Sequence, residues 1–240
     1  MKRVLVVGCS FVGLLNPKQL AKHNPGHLFD VCGMSAAGNQ SIAAQTLYKL
    51  STQKYDHVIV LWSGINRIDV PLGNMVHNTM NYPTNQPCYV KVGNHFWYHS
   101  GGFGCGGIYP PTPDFIIKYF HAQYREPDSL YLTDISLQLV WSVNNVIKSL
   151  GIPFYSSFIY DIHEDYTDSV DKMFGHSLDY TLGKANRDST FLPMLADSLT
   201  ITNTPYECAR DSNNLDTDEF HPTRDFMLNW VNTVVLNKLL

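Results

Sequence analysis

The sequence lacks the features that would mark a membrane, secreted or disulfide-stabilised protein. None of its apolar runs reaches the roughly 18 residues that a membrane-spanning helix needs. Its five cysteines are dispersed and contain no Cys-x-x-Cys pair, which is typical of reduced thiols rather than of a disulfide framework. The short apolar run after Met1-Lys2-Arg3 has no small-residue cleavage site behind it, which argues against a signal peptide. We therefore expect a cytoplasmic or virion-associated protein without a membrane span.

The sequence is also poor in charge and has no surplus of positive charge. Only 16% of its 240 residues are charged, and 17 basic residues stand against 21 acidic ones. Proteins that bind the phosphates of nucleic acids usually carry a basic surplus, so no nucleic-acid partner is expected. The hydrophobic fraction of 44% is typical of a globular protein. A chain of this length can bury a core without the help of disulfides or metal ions.

Short apolar runs that alternate with helical patterns predict an α/β fold. Strands are predicted at residues 3–8, 28–33, 57–63 and 152–159, with a weaker candidate at 199–202. Apolar residues at helical spacing predict helices over 39–50, over 129–150, and from Pro222 towards the C-terminus. Strands that alternate with helices form a parallel sheet covered on both faces. In the second helix, the predicted buried stripe consists of Ile135, Leu139, Val143, Val146 and Leu150.

Residues 68–127 interrupt this alternation. The segment is rich in Gly, Pro, Asn and aromatic residues, and we interpret it as an insertion in a single domain of residues 1–240. Connections this long inside a compact domain are usually functional. Because the insertion begins next to the end of the third strand, we expect it to bind substrate through Trp97, Tyr98 and Phe103. The alternative is that these rings pack into a subsidiary core or form the interface of a homo-oligomer.

Residues that could take part in catalysis follow the predicted strands, at the edge where an open parallel sheet binds ligands. Ser10 follows the first strand and is a candidate nucleophile. Gly38 follows the second strand and Asn66 the third, where a backbone N–H and a side-chain amide could stabilise an oxyanion. Asp218 and His221 stand ahead of the last helix, as a carboxylate and the base that it would orient. Taken singly, each residue is explained as well by a helix cap, a turn or a surface loop.

In this order along the chain, the residues resemble the conserved blocks of the SGNH hydrolases, also called the GDSL esterase/lipase family. The four blocks are matched by Gly8-Cys9-Ser10, by Gly38, by Gly64-Ile65-Asn66 and by Asp218-Glu219-Phe220-His221. The matches are short, but together they span nearly the whole chain. The chain departs from the family in the first block, which usually reads Gly-Asp-Ser, because Cys9 replaces the aspartate.

The resemblance implies a flavodoxin-like α/β/α sandwich with about five parallel strands, and serine-ester hydrolysis without a metal or organic cofactor. It implies that Ser10 attacks the ester, that His221 moves the proton and that Asp218 holds the imidazole. The oxyanion hole would comprise the N–H groups of Ser10 and Gly38 with the Asn66 side chain. The aromatic and polar character of the insertion favours an acylated carbohydrate, or another small polar ester, over a long lipid.

Two other functions compete with the esterase. Gly8-x-Ser10-x-x-Gly13, with Asp30 about 20 residues further on, imitates a dinucleotide-binding fingerprint. Against it, Ser10 occupies the second glycine position, where a side chain would block the pyrophosphate. The other alternative is a catalytically inactive, SGNH-like protein that binds carbohydrate, and only Cys9 supports it.

A metal site was also considered in the insertion. His95 and His99 are four residues apart and Cys105 follows them, but the surrounding segment is rich in glycine and aromatic residues. Such segments often contain histidines that bind no metal. We therefore expect no metal ion in the protein.

Overall fold

The described part of the chain is organised around a parallel sheet of four strands. A computed structural model describes residues 1–35, 37–64, 67, 69–71, 89–92, 95–99, 129–162, 189, 191–200, 203–217 and 221–239. Its strands are β1 (Lys2–Gly8), β2 (His27–Gly33), β3 (His57–Trp62), β4 (Asp69–Pro71), β5 (Tyr89–Val92), β6 (His95–His99) and β7 (Phe154–Phe158). The parallel sheet has the order β2-β1-β3-β7, and β4, β6 and β5 form a second, antiparallel sheet.

A fifth position of the parallel sheet is marked by a single bridge. Thr200 pairs in parallel with Ser157, and its N–H donates to the carbonyl of Ser156 at 2.8 Å. Thr200 lies in the predicted fifth strand, whose residues 201 and 202 are outside the described part of the chain. The predicted α/β fold with a parallel sheet is confirmed.

Strands β1 and β3 form the centre of the hydrophobic core. Residues 4–8 of β1 and all six residues of β3 are buried. A strand with only one buried face would alternate between apolar and polar residues, whereas residues 4–7 of β1 and 58–62 of β3 are apolar without a break. Both faces of the sheet are therefore covered, as in a three-layer sandwich. Trp62, fully buried at the end of β3, donates its indole N–H to the Ser156 hydroxyl at 2.8 Å.

The helices lie between and after the strands. They are α1 (Ser10–Gly13), α2 (Pro17–His23), α3 (Asn39–Thr52), α4 (Ser129–Ser149), α5 (Leu192–Leu195), α6 (Pro205–Asp211), α7 (Arg224–Trp230), a π-helix (Val231–Leu236) and α8 (Asn237–Leu239). Among the helices of the described residues, none combines the length and the apolarity that a bilayer span requires.

Helix α4 confirms the helix predicted over 129–150, but of the predicted stripe only Val143 is buried. Val146 and Leu150 are 39% and 54% exposed, and Ile135 and Leu139 are only partly buried. The residues that are buried are Leu137, Val140, Val143 and Ile147. At 100° per residue, this face is rotated by roughly a quarter turn from the predicted one. Helical spacing fits both faces, and packing of α4 against α3 selects one of them.

The last helix begins two residues later than predicted. Pro222 lies outside it and bridges to Leu215, and helix α7 starts at Arg224. Thr223 is the N-cap, and its hydroxyl accepts a hydrogen bond from the N–H of Phe226 at 3.3 Å. A threonine cap satisfies a helix amide, which a proline in the first turn cannot do. The sequence also gave no indication of the π-helix that follows.

Part of the predicted insertion forms the antiparallel sheet. Val92 of β5 is buried in the main core, and β4 and β5 both contact helix α3. Trp97 on β6 is partly buried and packs against the same core. The insertion is therefore anchored to α3 and to the core next to it. The aromatic and glycine-rich stretch 100–128 lies outside the described residues.

Two glycines set the distance between helix α1 and strand β2. An ideal Cβ on Gly33 would lie 2.2 Å from the backbone nitrogen of Gly13 and 2.4 Å from its Cα. The obstructing atoms are backbone, which cannot turn aside as a flexible side chain could. Any larger residue at position 33 would push away α1, the helix that begins with Ser10.

His57 is expected to make the stability of the protein depend on pH. Neither ring nitrogen of this buried histidine has a hydrogen-bond partner among the described residues. Burial lowers the pKa of His57 below its usual value, and the charges of Lys2 and His27 lower it further. Below about pH 6.5 the unfolded chain takes up a proton that the folded protein resists. The free energy of unfolding should therefore fall as the pH drops through this range.

Thermal unfolding between pH 5 and pH 7 tests this expectation with His57→Gln, which cannot titrate. Each unit of pKa difference corresponds to about 1.4 kcal/mol, and each kcal/mol to about 2–4 °C in Tm for a chain of this size. The Tm of the wild type should fall more steeply towards pH 5 than that of the variant. Equal slopes would show that His57 does not control the pH dependence.

Candidate active site

The first strand delivers Ser10 to the carboxyl edge of the parallel sheet. Strand β1 ends at Gly8, Cys9 is the N-cap of α1, and Ser10 is the first residue of that helix. The Ser10 Oγ lies 2.8 Å from Nε2 of His221, which is 211 residues further along the chain. Both residues are half-buried. An imidazole nitrogen at this distance can accept the proton of a serine hydroxyl, which is how a serine becomes a nucleophile.

Backbone hydrogen bonds hold the loop that carries His221. The N–H of Asp216 donates to the carbonyl of His221 at 2.7 Å, and the N–H of Thr223 donates to the carbonyl of Asn214 at 2.8 Å. These bonds pair residues 214–216 with residues 221–223, just ahead of α7. The imidazole therefore projects from a backbone that is fixed on both sides.

Phe11 packs against the imidazole. Its ring centroid lies 5.5 Å from that of His221, and its side chain is 3% exposed. Because Phe11 follows Ser10 in the same helical turn, one short helix presents the hydroxyl and supports its partner. This contact was not predictable from the sequence, since an apolar residue after Ser10 is equally expected in the core.

Cys9 stands where the resembled family usually has aspartate. The residue is fully buried, and its side chain makes no capping bond to α1. Its carbonyl accepts the N–H groups of Val12 and Gly13 at 3.1 and 3.3 Å. The local turn is therefore held by the backbone, and the thiol adds to the apolar core beneath Ser10.

The N-terminus of α3 is capped by a carboxylate from the insertion. Asp69, at the start of β4, is 2% exposed. Its Oδ1 accepts the N–H of Gly38 at 2.8 Å, and its Oδ2 accepts the N–H of Ser41 at 2.7 Å. A negative charge at a helix N-terminus is favourable and satisfies amides that have no helical partner. The Gly38 N–H, predicted as an oxyanion donor, is thus bonded to Asp69 in this structure.

Gly38 is confined by the segment that follows β3. A Cβ at this position would lie 2.7 Å from the carbonyl oxygen of Arg67 and 2.9 Å from Oδ2 of Asp69. Arg67 and Asp69 therefore lie directly against the start of α3. A second link is made by Asn39, whose Oδ1 accepts the N–H of Ser63 at 2.8 Å.

Several of the predicted site residues are not part of this description. Asn66, Asp218 and Phe103 lie outside the described residues, and for Tyr98 only the backbone of β6 is described. The expected oxyanion donor Asn66 and the expected triad acid Asp218 thus stay predictions. His95 and His99, considered for a metal, are on strand β6 rather than on a helix. The described residues contain no group of three or more side chains suited to hold a metal ion.

The contacts of Asn39 and Asp69 were not predicted from the sequence. For Asn39, the one indication in the sequence was its position next to Gly38, in the second of the four matched blocks. Asp69 gave none, because its partners are backbone amides 28 and 31 residues earlier in the chain.

The chain is similar in fold to solved structures, although its sequence matches no protein-family model. No protein-family model matches the chain, and no curated protein matches it. Among solved structures, it is similar to an acetyl xylan esterase, AlAXEase, with a TM-score of 0.50 and 10% identity over 99% of this chain and 100% of that one. It is also similar to a GDSL-like lipase from Bacteroides thetaiotaomicron, with a TM-score of 0.50 and 12% identity over 99% of this chain and 89% of that one. The SGNH hydrolase fold implied by the sequence is thereby confirmed.

Proposed function

We propose that this chain is a serine esterase that removes O-acetyl or similar small acyl groups from a carbohydrate. The observation that carries the proposal is the 2.8 Å contact between Ser10 Oγ and His221 Nε2. It lies at the carboxyl edge of a parallel sheet, where open α/β folds bind their ligands. A hydroxyl paired with an imidazole at such an edge is the minimum that nucleophilic ester hydrolysis needs.

The reaction proceeds in two halves. Ser10 Oγ attacks the ester carbonyl carbon while His221 Nε2 takes the hydroxyl proton, and a tetrahedral oxyanion forms. When the oxyanion collapses, the bond to the alcohol oxygen breaks and His221 returns the proton to that oxygen. Water then attacks the acyl-enzyme and gives its proton to His221. The second collapse releases the carboxylic acid and restores the Ser10 hydroxyl.

Asp218 is the proposed partner of the imidazole. It precedes His221 by three residues in the sequence, and the residues on either side, 214–216 and 221–223, are paired by backbone hydrogen bonds. A carboxylate that accepts the Nδ1–H keeps Nε2 free to take the serine proton and stabilises the imidazolium that forms.

The proposed oxyanion hole contains the Ser10 N–H and the Asn66 side chain. Ser10 stands in the first turn of α1, where helix amides have no helical acceptor. The third expected donor, the N–H of Gly38, contributes only if it leaves the Asp69 carboxylate.

The carbohydrate part of the proposal is supported by two observations. One of the proteins that share the fold is named as an acetyl xylan esterase. The insertion, which we place in one domain with the rest of the chain, carries aromatic residues such as Trp97, Tyr98 and Phe103. Aromatic rings suit the apolar faces of sugars, so we assign Tyr98 and Phe103 to substrate binding, together with the part of the Trp97 side chain that does not pack against the core.

A panel of esters tests the proposed function. Purified protein should hydrolyse p-nitrophenyl acetate and acetylated xylo-oligosaccharides faster than p-nitrophenyl octanoate. A serine-directed fluorophosphonate should stop the reaction, and mass spectrometry should find the adduct on Ser10. EDTA should have no effect. Binding of acetylated oligosaccharides without hydrolysis or labelling would refute the esterase and favour the inactive carbohydrate-binding alternative.

A further inference from the structure

The side chain of Asn39 holds an unused hydrogen-bond donor beside the candidate active site. Asn39 is 2% exposed and is the first residue of α3. Its Oδ1 accepts the N–H of Ser63 at 2.8 Å. Its Nδ2 is buried and has no hydrogen-bond partner among the described residues.

The orientation of this carboxamide is fixed by its single bond. If the amide were flipped, its NH₂ group would face the N–H of Ser63, and two donors would meet. The acceptor must therefore point to Ser63 and the donor away from it. A buried donor without an acceptor costs about 1–3 kcal/mol, so its retention calls for an acceptor that the described residues do not supply.

The register of the sheet places this carboxamide near Ser10. Gly8 of β1 pairs with Leu61 of β3. Ser10 and Ser63 each stand two residues beyond that pair, past the ends of adjacent strands. Neighbouring strands are about 4.8 Å apart. Asn39, bonded to Ser63, is therefore close to the space that an acyl group on Ser10 would fill.

We propose that Asn39 Nδ2 donates a hydrogen bond to the oxyanion that forms when Ser10 attacks the ester. It would replace the Gly38 N–H, which the Asp69 carboxylate holds. The inference rests on the proposed esterase function. It adds a donor whose acceptor exists only during the reaction, which is the arrangement that lowers the barrier most effectively.

Two substitutions separate this role from a structural one. Asn39→Asp keeps an oxygen for the Ser63 N–H but removes the donor, whereas Asn39→Ala removes the donor without adding a charge. We expect both to lower kcat for p-nitrophenyl acetate by about 10²–10³-fold. The KM should stay within about threefold of the wild-type value. Inhibition by a small boronic acid, which forms a tetrahedral adduct on serine, should weaken in parallel with kcat.

Asn144→Asp is the matched control. Asn144 is equally buried, at 1% exposure, and its Nδ2 donates to the carbonyl of Ser198 at 3.0 Å. It lies in the second half of α4, the end of the helix that leads into the start of β7. This control should lower Tm but leave kcat per folded molecule within about threefold.

The possible results distinguish failure of the proposed role of Asn39 from failure of the proposed esterase function. If Asn39→Asp keeps near wild-type kcat while Asn39→Ala is impaired, Asn39 only anchors Ser63 and the inference is overturned. It is also overturned if KM rises as much as kcat falls, or if boronate inhibition is unchanged. If Asn39→Asp does not fold, Asn39→Ala with the boronate decides the matter alone. If the wild type hydrolyses no ester and Ser10 is not labelled, it is the proposed function that fails.

Discussion

Replacing Ser10 by alanine is expected to lower ester hydrolysis by about 10⁵–10⁶-fold. The substitution removes the atom that we propose attacks the carbonyl, and the residual rate would come from binding and the proposed oxyanion donors. The fold should survive, because the described side-chain contact that is lost is one half-buried hydrogen bond to His221. Turnover of p-nitrophenyl acetate and thermal melting of the same sample measure both effects.

His221→Ala and the double variant complete this experiment. Residues that act as one unit are not additive, so the double variant should be little slower than either single variant. Unchanged turnover in Ser10→Ala would remove the proposed nucleophile. A double variant slower by the product of both effects would show that Ser10 and His221 act in separate steps.

Asp218→Asn should lower kcat by about 10⁴-fold, with KM little changed. An asparagine offers the imidazole an N–H as readily as a carbonyl oxygen, so it no longer secures the productive tautomer. Asp216→Asn is the matched control, because it makes the same change two residues earlier in the sequence. The Asp216 Oδ1 accepts the N–H of Thr217 at 2.7 Å, and an asparagine oxygen can accept that bond as well. If Asp218→Asn kept near wild-type turnover while Asp216→Asn lost it, Asp216 and not Asp218 would be the residue that orients the imidazole.

The sequence was sufficient to predict the parallel sheet because its central strands are apolar on both faces. Their burial follows from composition alone, without knowledge of their neighbours. The sheet β4-β6-β5 was not predicted, since its short strands lie in glycine- and aromatic-rich sequence and depend on non-local pairing. The buried face of α4 was missed for a related reason. Periodicity defines a helix, but only the partner helix determines which adjacent face is buried.

The site was partly predictable for the same reason. Ser10 could be placed by the rule that chemistry gathers at the carboxyl ends of parallel strands, whatever the distance along the chain. The contacts of Gly38, Asn39 and Asp69 could not be predicted. These contacts involve backbone N–H groups, which every residue except proline has. The sequence therefore does not indicate which N–H group a given side chain will bind.

The cap on α3 has a consequence for how this protein could be re-engineered. Asp69 belongs by position to the insertion, yet its carboxylate completes a helix of the core. A chimera in which residues 68–127 were exchanged for a loop from another protein would therefore lose the carboxylate that caps α3. A graft that begins after position 69 keeps this helix cap, and it must also keep Val92 of β5, which is buried in the main core.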